Sequence, residues 1–461
     1  ELETKKKIYI GGCVMKKFMV ICAPITSRSG YGDHARDLFH SFYDTGKFDI
    51  KIWDVPWGDC PRNALEYPNV KNDLIKSCIL NSTQIDRQPD VYVDIRIPNE
   101  FQQIGKFNIG ITAGIETNAV SQKWLEGCNN MDLIIVPSEH SKNGFLNTVY
   151  DKMNQLPDGQ QQKIGELKLQ KPIEVLFEGV DTDIFKKIGE KDFKHKISKD
   201  INEKITEDFL YLHVGQWGKG GYGEDRKDIG KLLKVFMESF ANKKNKPGLL
   251  LKTNGASFSV MDKSDCLNKI NEIKKLFPED WDLPNVYLLH GSLSSDEMNE
   301  LYNHEKIKVF VTFTHGEGFG RPMLESTMVG LPVIAPNWSG HVDFLDTNRS
   351  LLLSGNLDKV PKSMIWTDII IDESQWFVVN ESDAYKTLNY SYEKQNDLKI
   401  KADELMKNNN KKFSLNHMTE KLNEILDRHE SSSPTQVGLN LPKLKKVNKE
   451  PKIKLPKLKR A

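Results

Sequence analysis

Residues 307–345 constrain this chain more than any other stretch. Read in order, IKVFVTFTHGEGFGRPMLESTMVGLPVIAPNWSGHVDFL is strand, glycine loop, helix, strand and loop. Residues 309–314 concentrate β-branched and aromatic side chains, which suits a buried parallel strand. The loop from His315 to Gly320 follows, and Pro322 fits the first helical turn, where its missing N–H costs nothing. Met323, Leu324, Thr327 and Met328 belong to the helix, Gly330 ends it, and 331–335 is the next buried strand.

Two carboxylates stand out. Glu317 lies in the loop and Glu325 about one turn inside the helix, with seven residues between them. Both can face one crevice at the carboxyl end of a parallel strand, where open α/β sheets bind ligands. Gly318 and Gly320 let backbone N–H groups at a helix N-terminus approach a ligand, and that end attracts anions. Carboxylates beside it are poor phosphate ligands but good acceptors for sugar hydroxyls. The combination suits a sugar nucleotide. The plain alternative is a strand–loop–helix with a solvated glutamate in each part.

The run from Glu317 to Ile334 resembles the donor-site signature of retaining GT-B glycosyltransferases of the family 4 type, E-G-F-G-x-P-x-x-E-[AS]-x-x-x-G-x-P-V-[IV]. The resemblance implies an α/β fold. Two Rossmann-like, doubly wound parallel-sheet domains would face each other across a cleft, with a C-terminal helix crossing back to the N-terminal domain. It also implies roles: Glu317 contacts donor-sugar hydroxyls, Glu325 the nucleotide ribose, and Gly318, Phe319 and Gly320 line the donor.

The rest of the chain fits that frame. The N-terminal half (15–190) shows strands at 17–22, 48–55, 89–95, 107–113, 133–137 and 171–177, alternating with helices, which argues a parallel sheet. Gly30 and Gly32 stand in the first strand-to-helix loop, which resembles the family loop approaching the donor phosphates and acceptor. Glu116, in a G-x-E-T run after its strand, faces the cleft as an acceptor or sugar contact, or else caps the next helix. Residues 150–170 read as a polar, irregular, exposed insertion. Gly179-Val180-Asp181 resembles the family hinge, and 191–208 reads as a linker.

The second domain (209–410) opens with a strand at 209–214, then Gly215, Gln216 and a glycine-rich loop to Arg226-Lys227. Arg226 and Lys227 match the family's R-K pair, which holds the donor pyrophosphate. The family often has an arginine where Gln216 stands, so one phosphate ligand is missing. Arg226 or Lys252, at the end of the next strand, compensates. A final helix at 411–430 would pack back on the first domain. The resemblance further implies that Lys227, Arg226 and loop N–H groups stabilise the leaving diphosphate. The leaving phosphate helps to deprotonate the acceptor. Glu317 and Glu325 are then grips on the donor, not the acid/base pair of a glycoside hydrolase.

Bulk properties narrow the alternatives. The 461 residues suffice for two domains, and a net charge of +1 gives no global field for nucleic acid. The cysteines form no CxxC pair or metal-spaced cluster, which fits reduced thiols in a cytosol. No apolar run approaches a membrane span, and no signal peptide stands out. No cofactor and no metal are expected, since no Asp-x-Asp pair stands where this fold binds its donor. The expected partners are a nucleotide-sugar donor and a carbohydrate or lipid-linked acceptor. Residues 1–14 read as an extension ahead of Met15. Residues 431–461 read as a disordered basic tail that could meet an acidic membrane surface or a partner. Rival readings are a sugar-nucleotide epimerase or phosphorylase on the same architecture, and a non-catalytic sugar-nucleotide-binding or scaffold protein.

Overall fold

The structure is a computed structural model that describes residues 16–66, 69–82, 84–155, 160–255 and 257–430. The expected N-terminal extension and basic tail lie outside the described residues. The first domain contributes β1 (Lys17–Ala23), β2 (Phe48–Asp54), β3 (Val91–Ile95), β4 (Phe107–Ile111), β5 (Leu133–Val136), an antiparallel pair β6 (Tyr150–Gln155) and β7 (Gln161–Leu167), and β8 (Ile173–Val175). Its six-stranded sheet is parallel throughout, in the order β2-β1-β3-β4-β5-β8.

The second domain contributes β9 (Leu210–Gln216), β10 (Gly248–Asn254), β11 (Val286–Leu289), β12 (Ile307–Val311), β13 (Val333–Pro336) and β14 (Leu351–Leu353). These form a second six-stranded parallel sheet, ordered β11-β10-β9-β12-β13-β14. That is the doubly wound dinucleotide-type order, whose direction reverses between β9 and β12; the first sheet reverses between β1 and β3. Helices cover both faces, so the strands are apolar on both sides. Leu210, Leu212 and Phe310 enter one core, while Tyr211, Val309 and Val311 enter the other.

The last helix, Leu415–Glu430, returns to the first domain. Met418, Leu422, Ile425 and Leu426 form an apolar stripe that joins Leu38, Phe39 and Phe42 in the first domain's core. Val180 donates its N–H to the Phe413 carbonyl and accepts from the Leu415 N–H near this crossing, at the expected hinge. A further antiparallel pair, β15 (Gly355–Lys359) and β16 (Gln375–Val379), carries a loop that straps the domains together. Asn118 and Gln375 bond reciprocally through N···O contacts of 3.0 and 2.8 Å, and Ser121 donates to the Asp368 carbonyl at 2.8 Å. No helix among the described residues is long and apolar enough to cross a membrane.

Two expectations need correction. Residues 191–208 are not a free linker. They hold the helix Lys196–Lys204, and Ile197, Ile201 and Ile205 recur every four residues as a buried stripe on the second domain. The lysines between those isoleucines mask the pattern, and buried Glu300 anchors it through Ser198 and His195. Within the stretch expected to be irregular, residues 150–155 and 161–167 pair as β6 and β7. Tyr150 ties that hairpin down by donating to the Val120 carbonyl at 2.6 Å.

Candidate active site

The two chain segments singled out in the sequence leave the sheet on either side of its reversal point. β9 runs through Gly215 into the loop bearing Arg226-Lys227, ahead of the helix Ile229–Phe240. β12 runs into the loop bearing Glu317, ahead of the helix Arg321–Met328. Because β9 and β12 are neighbours, both loops open at one place. Lys227 Nζ pairs directly with Glu317 Oε1, and Arg226 Nη1 lies 3.9 Å from Oε2.

The loops are held from behind. His315 donates its backbone N–H to the Arg226 carbonyl at 2.9 Å, and its ring stacks on Trp376 at 4.1 Å. Asp225 accepts from the Lys227 N–H at 3.2 Å. Asp228 takes φ 47°, a left-handed turn that an aspartate tolerates. Glu317 is fixed through its backbone: its N–H donates to Ser339 Oγ at 3.0 Å, and its carbonyl accepts from the Gly340 N–H at 2.9 Å. Ser339 itself sits at φ 78°, ψ −165°, a region that side-chain-bearing residues rarely occupy.

Charge at the site is unevenly settled. Burial works to raise the Glu317 pKa, but Lys227 and then Arg226 outweigh it, and the carboxylate is held below its ordinary range. Burial lowers Lys227, and Arg226 adds to that against the pull of Glu317. Both cations lean on Glu317, Arg226 meeting Glu116 of the first domain as well, and the ammonium is the less stable partner. A second anion beside Lys227 would relieve that imbalance.

The first domain closes over this centre. Glu116 meets Arg226 Nη1 at 3.0 Å, which places it in the cleft facing the loop that bears Arg226 and Lys227. A Cβ on Gly318 would come within 2.0 Å of the Ala113 carbonyl oxygen, and one on Gly316 within 2.1 Å of the Glu116 carbonyl oxygen. Ser138 Oγ donates to the Gly318 carbonyl at 2.6 Å. Free space beside Lys227 and Glu317 is only about 10 Å³, lined by Val214, Thr312, Pro322 and Met323.

Glu325 lies on the same helix but is engaged elsewhere. Arg321 Nε bonds it at 3.0 Å, Tyr302 donates to it at 3.3 Å, and the other end of Arg321 reaches Asp37 of the first domain. Burial raises the Glu325 pKa against the opposing pull of Arg321. Lys252 shares a face of the sheet with Val214, its register partner, which lines the space beside Lys227. It is 9% exposed, it donates to the Gly291 carbonyl at 2.8 Å, and burial alone brings its pKa down to about 8.

Other nominated residues serve the frame. The Phe319 ring is buried against Phe344 at 5.1 Å, leaving only its backbone to a ligand. Gln216 turns its amide to the Gly255 carbonyl at 2.8 Å. Gly215 is a spacer, since a Cβ there would meet His213 Nε2 at 3.1 Å and Lys227 Cδ at 3.6 Å. Gly32 spends its N–H on the helix cap Ser29 at 3.1 Å, whereas Gly30 borders open space. Gly320, at φ 96°, makes the turn into the helix. Arg321, Asp37, Glu178, His34 and Ser339 were not foreseen. Arg321 fills a variable position of the motif, Asp37 gains its partner Arg321 only when the two domains meet, and Ser339 meets Glu317 from a loop beyond the next strand. Among the described residues no group of His, Cys, Asp or Glu has metal-holding geometry.

No protein-family model matches the chain, and no curated protein matches it by sequence. Its fold is similar to that of several solved structures. HepE (Alr3699) of Anabaena, in complex with UDP-glucose, aligns with a TM-score of 0.56 at 13% identity, over 89% of this chain and 100% of that one. A glycosyltransferase from Rickettsia africae gives 0.58 at 13%, over 90% and 99%. Sucrose-phosphate synthase from Thermosynechococcus elongatus gives 0.58 at 9%, over 90% and 100%. At such identities the likeness concerns architecture: the chain has the two-domain GT-B fold.

Proposed function

We propose that the chain is a glycosyltransferase that moves a hexosyl group from a nucleoside-diphosphate sugar to an acceptor hydroxyl, with retention of configuration and without a metal. One observation carries the reading. Arg226, Lys227 and Glu317 converge at the reversal point of the second sheet, with Lys252 on the adjoining strand. The cations suit a diphosphate, and Glu317 suits the hydroxyls of the sugar.

In the step itself the bond from the anomeric carbon to the diphosphate oxygen breaks, and the bond to the acceptor oxygen forms on the same face. The acceptor proton passes to the departing phosphate. Lys227 and Arg226 stabilise the charge that grows on that phosphate. Glu317, displaced from Lys227, grips the sugar. Glu325 serves the ribose once Arg321 releases it. The neighbour HepE was solved with UDP and UDP-glucose, so UDP-sugars head the donors to test. Cys22, Cys60, Cys78, Cys128 and Cys266 are all free thiols, in keeping with a cytoplasmic enzyme.

The test is hydrolysis and transfer with UDP-, GDP- and ADP-sugars, each checked first for a thermal shift. Glu317→Gln should lower turnover by about 10²-fold or more, as for loss of one group gripping the transition state. Lys227→Met should lose both UDP binding and turnover. Full activity in both variants would sink the assignment. Binding without turnover in the wild type would favour a non-catalytic sugar-nucleotide binder. The Gln216 departure, with its amide committed to Gly255, is the feature that favours that second reading.

A further inference from the structure

The second domain carries a groove at the end of its sheet that faces away from the cleft. The helix Val260–Lys274 starts beside the carboxyl ends of β10 and β11, where Asp262 accepts from the Gly255 N–H at 2.9 Å and meets His290 Nε2 at 2.7 Å. At 1.5 Å per residue, its 15 residues carry the chain about 22 Å to the amino end of the same sheet. There the end of the helix and the loop 275–285, which leads into β11, border a groove of about 970 Å³. The loops bearing Lys227 and Glu317 leave the sheet at the opposite pole.

The floor of this groove is aromatic and fixed. Phe277 and Leu283 pack on a core of the second domain. The Trp281 ring meets Phe277 with centroids 5.8 Å apart and planes inclined by 38°, yet Trp281 is 38% exposed. Its loop is clamped from behind. Asn242, in the left-handed region at φ 60°, donates its backbone N–H to the Asp282 carbonyl at 2.9 Å, and its side chain accepts from the Asp282 N–H at 2.8 Å. Lys246 pairs with the Asp282 carboxylate, and Trp281 donates its backbone N–H to the Pro278 carbonyl at 3.1 Å. The rim is polar. Asn268, Asn271 and Glu272 recur at helical spacing on one face, and Lys274, Lys275 and Glu279 complete it. None of these six side chains has a hydrogen-bond or ion-pair partner among the described residues.

The chemistry of the lining selects a ligand class. Two lysines and two glutamates cancel, so the groove offers no net field to a phosphate, a nucleic acid or an acidic lipid. An amide both donates and accepts, as a sugar hydroxyl does. The C–H face of a pyranose packs on the negative face of an indole. We propose that this groove binds an uncharged oligosaccharide, with pyranose rings over Trp281 and hydroxyls on Asn268, Asn271 and Glu272. The volume lies at the upper end for small-molecule sites, which suits a short run of linked sugars rather than one ring. Binding stands apart from the glycosyl-transfer reading above, and only its use rests on that reading. A glycan held at this pole stays near the enzyme between transfers, which raises the local concentration of its ends.

The experiment titrates the full chain with maltohexaose, cellohexaose and mannohexaose, and with hexagalacturonate as the charged control, by calorimetry with and without saturating UDP. At least one neutral hexasaccharide should bind with a sub-millimolar Kd that UDP does not change. Trp281→Ala should weaken that binding about tenfold or more, and Trp281→Phe, which keeps a ring, should weaken it less. An unchanged melting temperature, and an unchanged rise on adding UDP, show that both variants keep the fold and the donor site. Failure of every neutral hexasaccharide to bind would overturn the proposal. So would tighter binding of hexagalacturonate, or undiminished binding in Trp281→Ala. A wild-type dimer that Trp281→Ala splits, read by light scattering with no sugar bound, would make the groove a contact between copies and overturn it as well. If the hexasaccharide binds as stated but no donor is bound or hydrolysed, the transferase reading falls and the groove stands. Donor turnover without hexasaccharide binding removes the groove alone.

Discussion

Lys252 gives the sharpest test of how the donor site is charged. Its pKa drops from the ordinary 10.5 to about 8, and burial is the cause. At neutral pH the folded chain therefore holds this ammonium at a cost of about 3 kcal/mol relative to the unfolded chain. Lys252→Met removes that cost. It also leaves the Gly291 carbonyl without its 2.8 Å donor, a loss of about 1–2 kcal/mol. The variant should thus be more stable by about 1–2 kcal/mol, a rise of a few degrees in melting temperature. Diphosphate binding should move the other way. Losing one charge-assisted hydrogen bond, about 1.5–3 kcal/mol, weakens UDP binding roughly 10- to 100-fold. The sign with pH follows from the depressed value. The stability attached to Lys252 is complete above 10.5 and is lost as pH falls through about 8. The variant's advantage should be full at pH 7 and shrink toward pH 10, while wild-type affinity for UDP falls above pH 8. Thermal melts with and without UDP from pH 7 to 10 read both effects. A variant that melts no higher than the wild type and binds UDP equally well would refute the reasoning.

Three further outcomes test the rest of the cleft. Gly318→Ala places a Cβ 2.0 Å from the Ala113 carbonyl oxygen, so the domains cannot close as they do here; turnover should fall about 10²-fold while UDP binding changes little, read by steady-state kinetics and calorimetry. Arg321→Met strips Asp37 and Glu325 of their shared cation and should cost about 3 kcal/mol at pH 7.5, part of it regained at pH 5 as those carboxyls protonate, which denaturant melts at both pH values measure. Asp225 is 1% exposed, and burial, then Asp228, raises its pKa to about 6. A raised carboxyl favours the fold below its unfolded value of 3.8 and loses that contribution as pH rises through about 6, so Asp225→Asn should stabilise by about 2 kcal/mol at pH 7.5 and not at pH 4.

The sequence made the second domain legible because its signals are local. The buried runs of β9 and β12, the glycines at 318 and 320 and the proline at 322 each state a strand or a turn on their own, and neighbouring strands bring Lys227 to Glu317 without further instruction. Signals that depend on docking were not legible. Phe319 reads as part of a ligand loop until Phe344 and Phe413 are placed beside it. Residues 191–208 read as a linker because lysines separate the isoleucines that face Tyr302 and Leu301 in one core. Asp37 and Arg321 are far apart in the chain, and nothing near either names the other. The helix Val70–Cys78 buries a single side chain, Ile75, and so leaves almost no periodic trace.

The closed cleft and the proposed chemistry use the same charges in different pairings. Arg226 now meets Glu116, Lys227 meets Glu317, and Arg321 meets Asp37 and Glu325. Two of these contacts, Arg226 with Glu116 and Arg321 with Asp37, cross between the domains, so Arg226, which a donor would recruit, also helps to hold the cleft shut. A diphosphate entering beside Lys227 offers Arg226 and Lys227 a stronger anion, which frees Glu116 and Glu317 for hydroxyls. The ribose asks Glu325 to release Arg321, which loosens its hold on Asp37. Opening and donor capture are then one exchange of partners rather than two events. The buried ammonium of Lys252, which pairs with no carboxylate among the described residues, stays out of that exchange. It therefore isolates the worth of a cation to the donor from the worth of the closed cleft to the fold.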